Sequence, residues 1–290
     1  MKIMKRILLS LLLICVGWTL HSQQKDSILF VEAKWETTRF DNGIVLKQVH
    51  FTDSSLFNSN QYISILEIPN SGEALSFHVV ADTILRHTSV MAAENRAIAA
   101  INGSFFRYNL PYNSVDYLRI DRTRLAQNTY DEGDKRLFHQ LGAVIVNGGK
   151  LAVGKADLSN DLWESGVDAD DILTSGPLLI FDGDREEMKN ESFYTLRHPR
   201  SAVASKGDSL IFLVTVDGRA AQAAGMSLKE LQSILSWLGA DRALNLDGGG
   251  STTMYIRDKG VVNHPTDNRQ FDNQGERKVA NCVIICVKAK

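Results

Sequence analysis

The sequence predicts an α+β fold, in which a largely antiparallel or mixed sheet packs with a few helices in a single domain. Most apolar runs are short, alternate with polar residues and are joined by glycine-containing turns, a pattern typical of β-hairpins. Helical patterns occur at 88–97 and 227–239, and each precedes a strand. Because the regular alternation of strand and helix that builds βαβ units is missing, a Rossmann-type parallel sheet is not expected.

The strands are expected mainly in pairs along the chain. A first hairpin is predicted over 28–51, with its turn at Asp41–Gly43. Residues 107–140 are polar and lack periodicity, which predicts a long loop that forms a lid or rim over a site. Further strands are expected at 62–68, 76–80, 97–101, 142–153 with a turn at 147–149, 178–181 before a turn at 182–184, 201–216 with a turn at 206–208, and 279–287.

The second helix carries the strongest local signals. Ser227 is a good N-cap residue, and Glu230 three positions later completes a capping box. Leucine and isoleucine then recur at helical spacing, and Gly239 ends the pattern, as glycine commonly does after a helix.

The first 22 residues are typical of a secretory signal peptide. Basic residues at 2, 5 and 6 precede an apolar run that is too short to span a bilayer, and Ser22 suits cleavage before Gln23. A membrane anchor is the alternative, and lipid anchoring at Cys15 fits poorly because Ile14 precedes it. We expect a secreted or periplasmic protein with no membrane segment after cleavage. Its parts are a signal peptide at 1–22, a β-hairpin region at 23–75 and the main domain at 76–290.

Composition and charge narrow the class of protein. The chain has 290 residues, 44% hydrophobic and 23% charged, as in ordinary globular proteins, and is long enough to bury a sizeable core. Without residues 1–22 it has 29 basic and 34 acidic residues, a net charge of −5. That charge disfavours nucleic acid as a partner, because no basic surplus exists to neutralise phosphates.

Two cysteines follow the expected signal peptide, Cys282 and Cys286, both in the last apolar run. On one face of a strand they would lie about 13 Å apart, beyond disulfide reach. With no histidine nearby they do not form a zinc site, and we interpret them as small hydrophobic residues.

The stretch 242–255, RALNLDGGGSTTMY, is the one around which we expect the chain to be organised. It begins as a buried strand, but Asn245 and Asp247 interrupt the apolar pattern, and three glycines and three hydroxyl residues follow. Glycine lets a ligand approach the main chain, and an unpaired carboxylate near a core costs several kcal/mol. A tight turn capped by an Asp needs only one or two glycines, so three favour a binding loop.

A second stretch, 97–106, resembles the first: an apolar strand ends in Asn102, Gly103 and Ser104. In isolation Asn-Gly is a turn signal more often than a site. If the similarity is structural, two helix–strand units bring two strand ends to one place.

Several other strand ends carry polar residues and glycine. If they meet, the site combines carboxylates, arginines, amides and a glycine–hydroxyl loop, which favours a negatively charged substrate and acid/base or nucleophilic chemistry. The candidates are Asn102, Gly103, Ser175, Gly176, Arg197, Arg200, Asp217, Arg219, Asn245, Asp247, Gly248, Gly249, Gly250, Ser251 and Thr252.

Three other kinds of site are less well supported. A P-loop needs Gly-Lys-Ser/Thr and a following helix, and the glycine stretch has neither. A serine hydrolase needs the Gly-x-Ser-x-Gly elbow, which is missing at Ser251, and His198 is better interpreted as structural or as a substrate contact. A divalent cation such as calcium or magnesium, held by Asp217 and Asp247 with nearby amides, is a possible cofactor.

The segments NGSFF, TSGPLL, RHPRSAVA, TVDGR with GMSLKELQSILSWLGA, and ALNLDGGGSTTMY occur in the order seen in the phosphodiester glycosidase family. The resemblance covers about 76–287. The family includes an enzyme that removes N-acetylglucosamine from a mannose 6-phosphate diester, and many exported bacterial proteins.

The resemblance implies hydrolysis at the anomeric carbon of a sugar 1-phosphodiester. Asp247 would be the nucleophile or the base for water, and Asp217 is the other candidate carboxylate. One or more of Arg197, Arg200 and Arg219 would bind the phosphodiester, the loop 248–252 would bind sugar or phosphate oxygens, and Asn102 and Asn245 would orient sugar hydroxyls or Asp247. The competing hypothesis is a non-catalytic protein that binds glycans or assembles envelope polysaccharide with the same pocket.

Overall fold

The computed structural model describes residues 24–108, 114–130 and 136–288. The helices are α1 at 24–31, α2 Thr88–Glu94, α3 Trp163–Gly166, α4 Ser192–Thr195 and α5 Leu228–Trp237, with 3₁₀ turns at Phe138–Gln140 and Gly249–Ser251. The strands are β1 Glu36–Arg39, β2 Val45–Leu56, β3 Ser59–Pro69, β4 Leu75–His87, β5 Ala99–Asn102, β6 Leu118–Ile120, β7 Thr123–Ala126, β8 Gly142–Asn147, β9 Lys150–Lys155, β10 Asp171–Ser175, β11 Leu178–Phe181, β12 Asp184–Arg185, β13 Arg200–Lys206, β14 Leu210–Val216, β15 Arg242–Asn245, β16 Met254–Ile256, β17 Gly260–Val261 and β18 Lys278–Val287.

The strands form three sheets, and the predicted α+β class is confirmed. An eight-stranded sheet has the order β1-β2-β3-β14-β13-β15-β11-β12, and two five-stranded sheets have the orders β7-β6-β10-β8-β9 and β17-β16-β5-β18-β4. Every pairing between these named strands is antiparallel. Seven of these pairings are hairpins between strands that are consecutive in the chain, and the others join strands that are distant in sequence.

Two large apolar clusters join these layers. One brings side chains from all three sheets together, among them Leu66, Leu173 and Val283. The other packs the opposite face of the eight-stranded sheet against α5, through Leu231, Ile234 and other buried side chains. The predicted helix cap is confirmed: the Ser227 side chain accepts from the N–H of Glu230, and the Glu230 carboxylate accepts from the N–H of Ser227.

The first predicted hairpin is partly wrong. Its turn at Asp41–Gly43 does join β1 to β2, but residues 24–31 form a helix where strand was expected from residue 28. Asp26 and Phe30 lie four residues apart on one helix face. Asp26 accepts from the N–H of Phe57, and Phe30 packs against the ring of Trp237. These contacts come from distant parts of the chain and outweigh local strand preference.

The loop predicted at 107–140 contains a short hairpin, β6–β7. Its turn residues, Asp121 and Arg122, both have positive φ, 48° and 62°, although neither is glycine. The N–H of Asp121 donates to the carboxylate of Asp171 on β10, which stabilises this turn. A hairpin turn without glycine or asparagine gives no sequence signal.

The N-terminal strands continue the sheet of the later part of the chain. β3 pairs with β14 over seven residues, so the expected boundary at residue 75 falls between strands of two sheets that share a core. The expected signal peptide lies outside the described residues. Among the described residues, no helix is both long and apolar enough to cross a membrane. Cys282 and Cys286 are free thiols, as predicted, but Cys286 is only partly buried.

Candidate functional site

The ends of β5 and β15 meet, although the two strands belong to different sheets. The side-chain amide of Asn102 donates to the backbone carbonyl of Asp247 at 2.6 Å, and the N–H of Asp247 donates to the carbonyl of Gly103 at 3.0 Å. The similarity of the two sequence stretches therefore reflects a shared junction. This junction fixes the backbone from which the Asp247 carboxylate projects.

Further hydrogen bonds of the amide and hydroxyl candidates hold the backbone around this junction. Asn102 accepts at Oδ1 from the Ser201 hydroxyl, at 2.6 Å. The Ser175 hydroxyl donates to the carbonyl of Asn245, whose amide donates to the carbonyl of Gly176. Asn102, Ser175 and Asn245 are at most 1% exposed. They hold the backbone, and in this structure they are not exposed to contact a ligand directly.

The glycine stretch has no room for side chains, because neighbouring groups approach its backbone closely. A Cβ atom on Gly248 would lie 2.5 Å from the carbonyl oxygen of Pro199, and one on Gly250 would lie 2.5 Å from both Arg277 Nη2 and Asp267 Oδ1. Side chains at these positions would displace the arginine or the backbone. The turn can therefore lie directly beneath charged groups only because it has no side chains.

Two arginines flank this turn. Arg219 is exposed, and its guanidinium lies 3.0 Å from the position that a Cβ of Gly249 would take. Arg277 covers Gly250 and is held by Asp267, whose Oδ1 accepts from Arg277 Nε at 2.8 Å. Sequence reasoning found Arg219 and missed Arg277 and Asp267. Both missed residues lie in a polar stretch before β18, where no strand end or glycine pattern marks them.

The electrostatics of Asp247 suit a reactive carboxylate. Burial raises the pKa of Asp247 to about 6, although the Ser251 hydroxyl, Arg277, the Gly248 N–H and Arg219 all oppose the rise. The residue as a whole is only partly buried, so part of Asp247 remains exposed to solvent. The Ser251 hydroxyl is buried and makes no hydrogen bond of good geometry within the described residues, and the same is true of Thr252.

Arg197 and Arg200 are not placed like Arg219. The Arg197 guanidinium pairs with Glu230 on α5, with Nη2 2.6 Å from the carboxylate, and it also donates to the carbonyl of Phe57. Arg200 is 2% exposed and donates to three backbone carbonyls, and burial lowers its pKa to about 10. No carboxylate pairs with Arg200 among the described residues.

Asp217 is fully engaged by hydrogen-bond donors. Its oxygens accept from the Asn263 amide at 2.8 Å and from the His264 N–H at 2.9 Å, and His264 Nδ1 lies 2.9 Å away. Asp217 is 1% exposed. It holds the turn that leads to Asp267, and this arrangement favours Asp247 over Asp217 as the reactive carboxylate.

The donor set around these carboxylates does not fit a divalent cation. The oxygens of Asp217 already face N–H groups, and Asp247 faces two guanidinium groups, which would repel a cation. Across 24–108, 114–130 and 136–288, no three His, Cys, Asp or Glu side chains are grouped to hold a metal ion. We therefore assign no step to a metal.

Comparison with known proteins supports the assignment to a family. The model of the family described as phosphodiester glycosidase matches residues 95–286. An SPbeta prophage-derived uncharacterized protein of Bacillus subtilis, YomE, is 25% identical, over 84% of this chain and 41% of its own length. The chain thus spans about two fifths of that relative.

Two solved structures share the fold. One is the zebrafish N-acetylglucosamine-1-phosphodiester alpha-N-acetylglucosaminidase catalytic domain, auto-inhibited by its pro-peptide, with a TM-score of 0.65, 17% identity and 88% of each chain covered. The other is a hypothetical protein from Synechocystis, with a TM-score of 0.62, 18% identity, and 88% of this chain and 64% of that one covered. At such identities the similarity establishes the fold alone.

The raised pKa of Asp247 predicts a pH-dependent stability difference in Asp247→Asn. The folded protein binds this proton more tightly than the unfolded chain, so wild type loses stability as the pH rises from about 4 through about 6. The asparagine variant lacks this loss and should melt above wild type at pH 7, by an amount that shrinks towards pH 4. Each pKa unit corresponds to about 1.4 kcal/mol.

The measurement is the melting temperature of both proteins between pH 4 and pH 7. Asp157→Asn is the control: hydrogen bonds from Ser159 lower the pKa of Asp157, so the stability that this carboxylate confers is lost only below about pH 4, and the difference between this variant and wild type should be nearly constant between about pH 5 and pH 7. A pH-independent difference for Asp247→Asn, or a lower melting temperature at pH 7, would contradict the interpretation.

Proposed function

This chain belongs to the phosphodiester glycosidase family, and from that premise we propose that it hydrolyses the anomeric bond of a sugar 1-phosphodiester, releasing free sugar and a phosphomonoester. The observation that carries the proposal is the position of Asp247. It precedes a side-chain-free turn that the guanidinium groups of Arg219 and Arg277 approach, and both cations oppose the rise in its pKa. A carboxylate flanked by two cations can react while an anionic group is bound beside it.

The phosphodiester is proposed to lie over the glycine turn. Guanidinium groups bind phosphate oxygens through charge-assisted hydrogen bonds, and Arg219 and Arg277 approach the turn at Gly249 and Gly250. As the anomeric C–O bond breaks, negative charge grows on the departing phosphate. Two cations at the turn, of which Arg277 is held in place by Asp267, stabilise that charge most in the transition state, which is the condition for catalysis.

Asp247 is proposed to act at the anomeric carbon in one of two ways. As a base it takes the proton of the water that attacks this carbon while phosphate leaves. As a nucleophile it bonds to the carbon as the C–O bond to phosphate breaks, and water then attacks the carbon, which breaks its bond to the carboxylate and releases the sugar. With a pKa of about 6, Asp247 is largely ionised at neutral pH, as both roles require.

The substrate class can be tested directly. Purified protein should release reducing sugar from some member of a panel of sugar 1-phosphodiesters that includes N-acetylglucosamine 1-phosphodiesters, the class named for the zebrafish structure. Binding of panel members without turnover would support the competing proposal of a non-catalytic glycan-binding or envelope-assembly protein.

We also propose that the protein is exported. The support is the basic start, the short apolar run and the Ser22–Gln23 cleavage site in the sequence. N-terminal sequencing of the protein collected outside the cytoplasm should begin near Gln23. An intact Met1 on a soluble cytoplasmic protein would overturn this proposal.

Asp247→Asn should lower turnover by about a hundredfold or more, the scale of acid/base contributions, because it removes the charge and keeps the shape. For wild type, kcat/KM should rise with pH through about 6 and then level off, as Asp247 ionises. Initial rates on the best panel substrate between pH 4.5 and pH 8 test both statements. Near-normal turnover in the variant would remove Asp247 from the mechanism.

Three Arg→Gln variants should separate phosphate binding from support of the fold. Arg219→Gln and Arg277→Gln should each lower kcat/KM by about 10- to 100-fold, the effect of losing one charge-assisted hydrogen bond. They should also weaken inhibition by inorganic phosphate. Arg197→Gln is the matched control: it should lower the melting temperature, because Glu230 loses its partner, and leave phosphate inhibition unchanged. Equal effects of all three on phosphate inhibition would refute the assignment.

A further inference from the structure

A second polar arrangement lies near the site and takes no part in the proposed chemistry. Nδ1 of His139 lies 2.7 and 2.9 Å from the two carboxylate oxygens of Asp116. The Gln140 side-chain amide also donates to this carboxylate, at 2.9 Å. Asp116 is 0% exposed, whereas the His139 side chain keeps 12% of its surface. A buried carboxylate thus holds a histidine that reaches the surface.

Two sets of contacts place His139 at the same sheet edge as Asp247. The rings of His139 and Phe105 lie 5.5 Å apart, and Phe105 is two residues from Gly103, whose carbonyl accepts from the N–H of Asp247. On the other side, a Cβ on Gly176 would lie 3.0 Å from the Cα of His139, and the carbonyl of Gly176 accepts from Asn245. The strand end that carries Asp247 therefore also supports His139.

The Asp116 carboxylate does more than fill space. Burial raises the pKa of Asp116, against hydrogen bonds from His139 and Gln140, so the group is costly to keep in the interior. What it provides is a fixed imidazole. With Nδ1 donating to the carboxylate, the neutral ring presents Nε2 as an acceptor, and no described residue donates to that atom.

Aromatic rings border this acceptor. Phe105, Phe138 and Phe193 form a cluster with His139, and all four are partly exposed. The three rings next to Phe105 are tilted or edge-on to it, at 49° to 81°, so none stacks in parallel on its face. The guanidinium of the buried Arg200 lies over Phe193, 5.1 Å from the ring centroid.

We propose that Phe105 and His139, the latter held by Asp116, form the subsite for the sugar ring of the substrate, a pyranose. The apolar face of a pyranose suits an aromatic ring, and its hydroxyls need a polar group at a fixed position. The acceptor Nε2 of His139 takes a hydrogen bond from one sugar hydroxyl. The phosphate lies on the side of Arg219 and Arg277, so the anomeric carbon lies between the two groups, beside Asp247.

This inference rests on the proposed function, and the test separates the two. The variants are Phe105→Leu, which keeps apolar volume and removes the flat ring, His139→Gln and Asp116→Asn. In Asp116→Asn the amide can donate to Nδ1, which moves the ring proton to Nε2 and turns the acceptor into a donor. Each variant should raise KM for the sugar phosphodiester by about 10-fold or more, the effect of one lost contact, with a smaller change in kcat.

Two further measurements complete the design. Inhibition by inorganic phosphate should stay at the wild-type level in all three variants, whereas Arg277→Gln should change it. Saturation-transfer NMR with the methyl glycoside of the sugar should show contact in wild type and a loss of signal in Phe105→Leu. Phe181→Ala, a partly buried phenylalanine at the other end of β11, is the control and should leave sugar binding unchanged.

The outcomes are distinct. If wild type binds the sugar and the three variants do not, the subsite is supported even when no panel member is hydrolysed. In that case only the proposed reaction is contradicted. Hydrolysis with unchanged KM in Phe105→Leu and His139→Gln overturns the subsite and leaves the reaction standing. A large fall in kcat at unchanged KM in His139→Gln also overturns it, since it would show that His139 acts on the reaction and not on sugar binding.

Discussion

The structure depends on one junction, where the ends of two strands from different sheets hold each other through the backbone. Asn102 and Asp247 are linked by a side-chain amide and by a main-chain hydrogen bond to Gly103. Asn102 is fully buried, so breaking its hydrogen bond would leave a polar amide unsatisfied in the interior. The backbone that carries the Asp247 carboxylate is therefore held by two sheets, and an exposed loop could not hold it as firmly.

The same junction determines what surrounds the carboxylate. Three consecutive glycines leave the turn bare, and the space is filled by arginines that arrive from two other segments, at 219 and 277. Neither arginine is adjacent to Asp247 in the sequence. The separation lets the fold combine a partly desolvated carboxylate with two cations, without burying a complete ion pair whose desolvation would be costly.

Much of the fold follows from local signals, and the exceptions have a common cause. The turn at Asp41–Gly43, the Ser227 cap and the strand that ends in Asp247 were predictable because the determining residues are neighbours in the chain. Helix α1 was not, because the burial of Phe30 depends on Trp237, about two hundred residues away. The β6–β7 turn was missed because Asp121 and Arg122 adopt positive φ without glycine.

The site shows the same division. Sequence pattern identified Asp247, its glycines and Arg219, since each follows an apolar strand or a glycine. It also predicted Arg197 and Asp217 as site residues, but in the structure Arg197 pairs with Glu230 and Asp217 pairs with His264. No local sequence pattern reveals such partners. Arg277 and the Asp116–His139 pair were missed for the converse reason: their neighbours in space lie on other elements, and their own segments are polar and irregular.

The charges at the site also distinguish it from ordinary glycoside hydrolysis. Such enzymes generally need two carboxyl groups, one of them protonated to assist a poor leaving group. Phosphate leaves as a stabilised anion, so the acid can be replaced by cations that are present before the reaction begins. The described residues follow this logic: Asp247 is the carboxylate that remains partly exposed on the turn, Asp217 is fully engaged, and Asp267 is paired with Arg277. Under the proposed reaction, one carboxylate and two guanidinium groups would be enough to hydrolyse a sugar phosphodiester, and a second carboxylate in that position would repel the substrate.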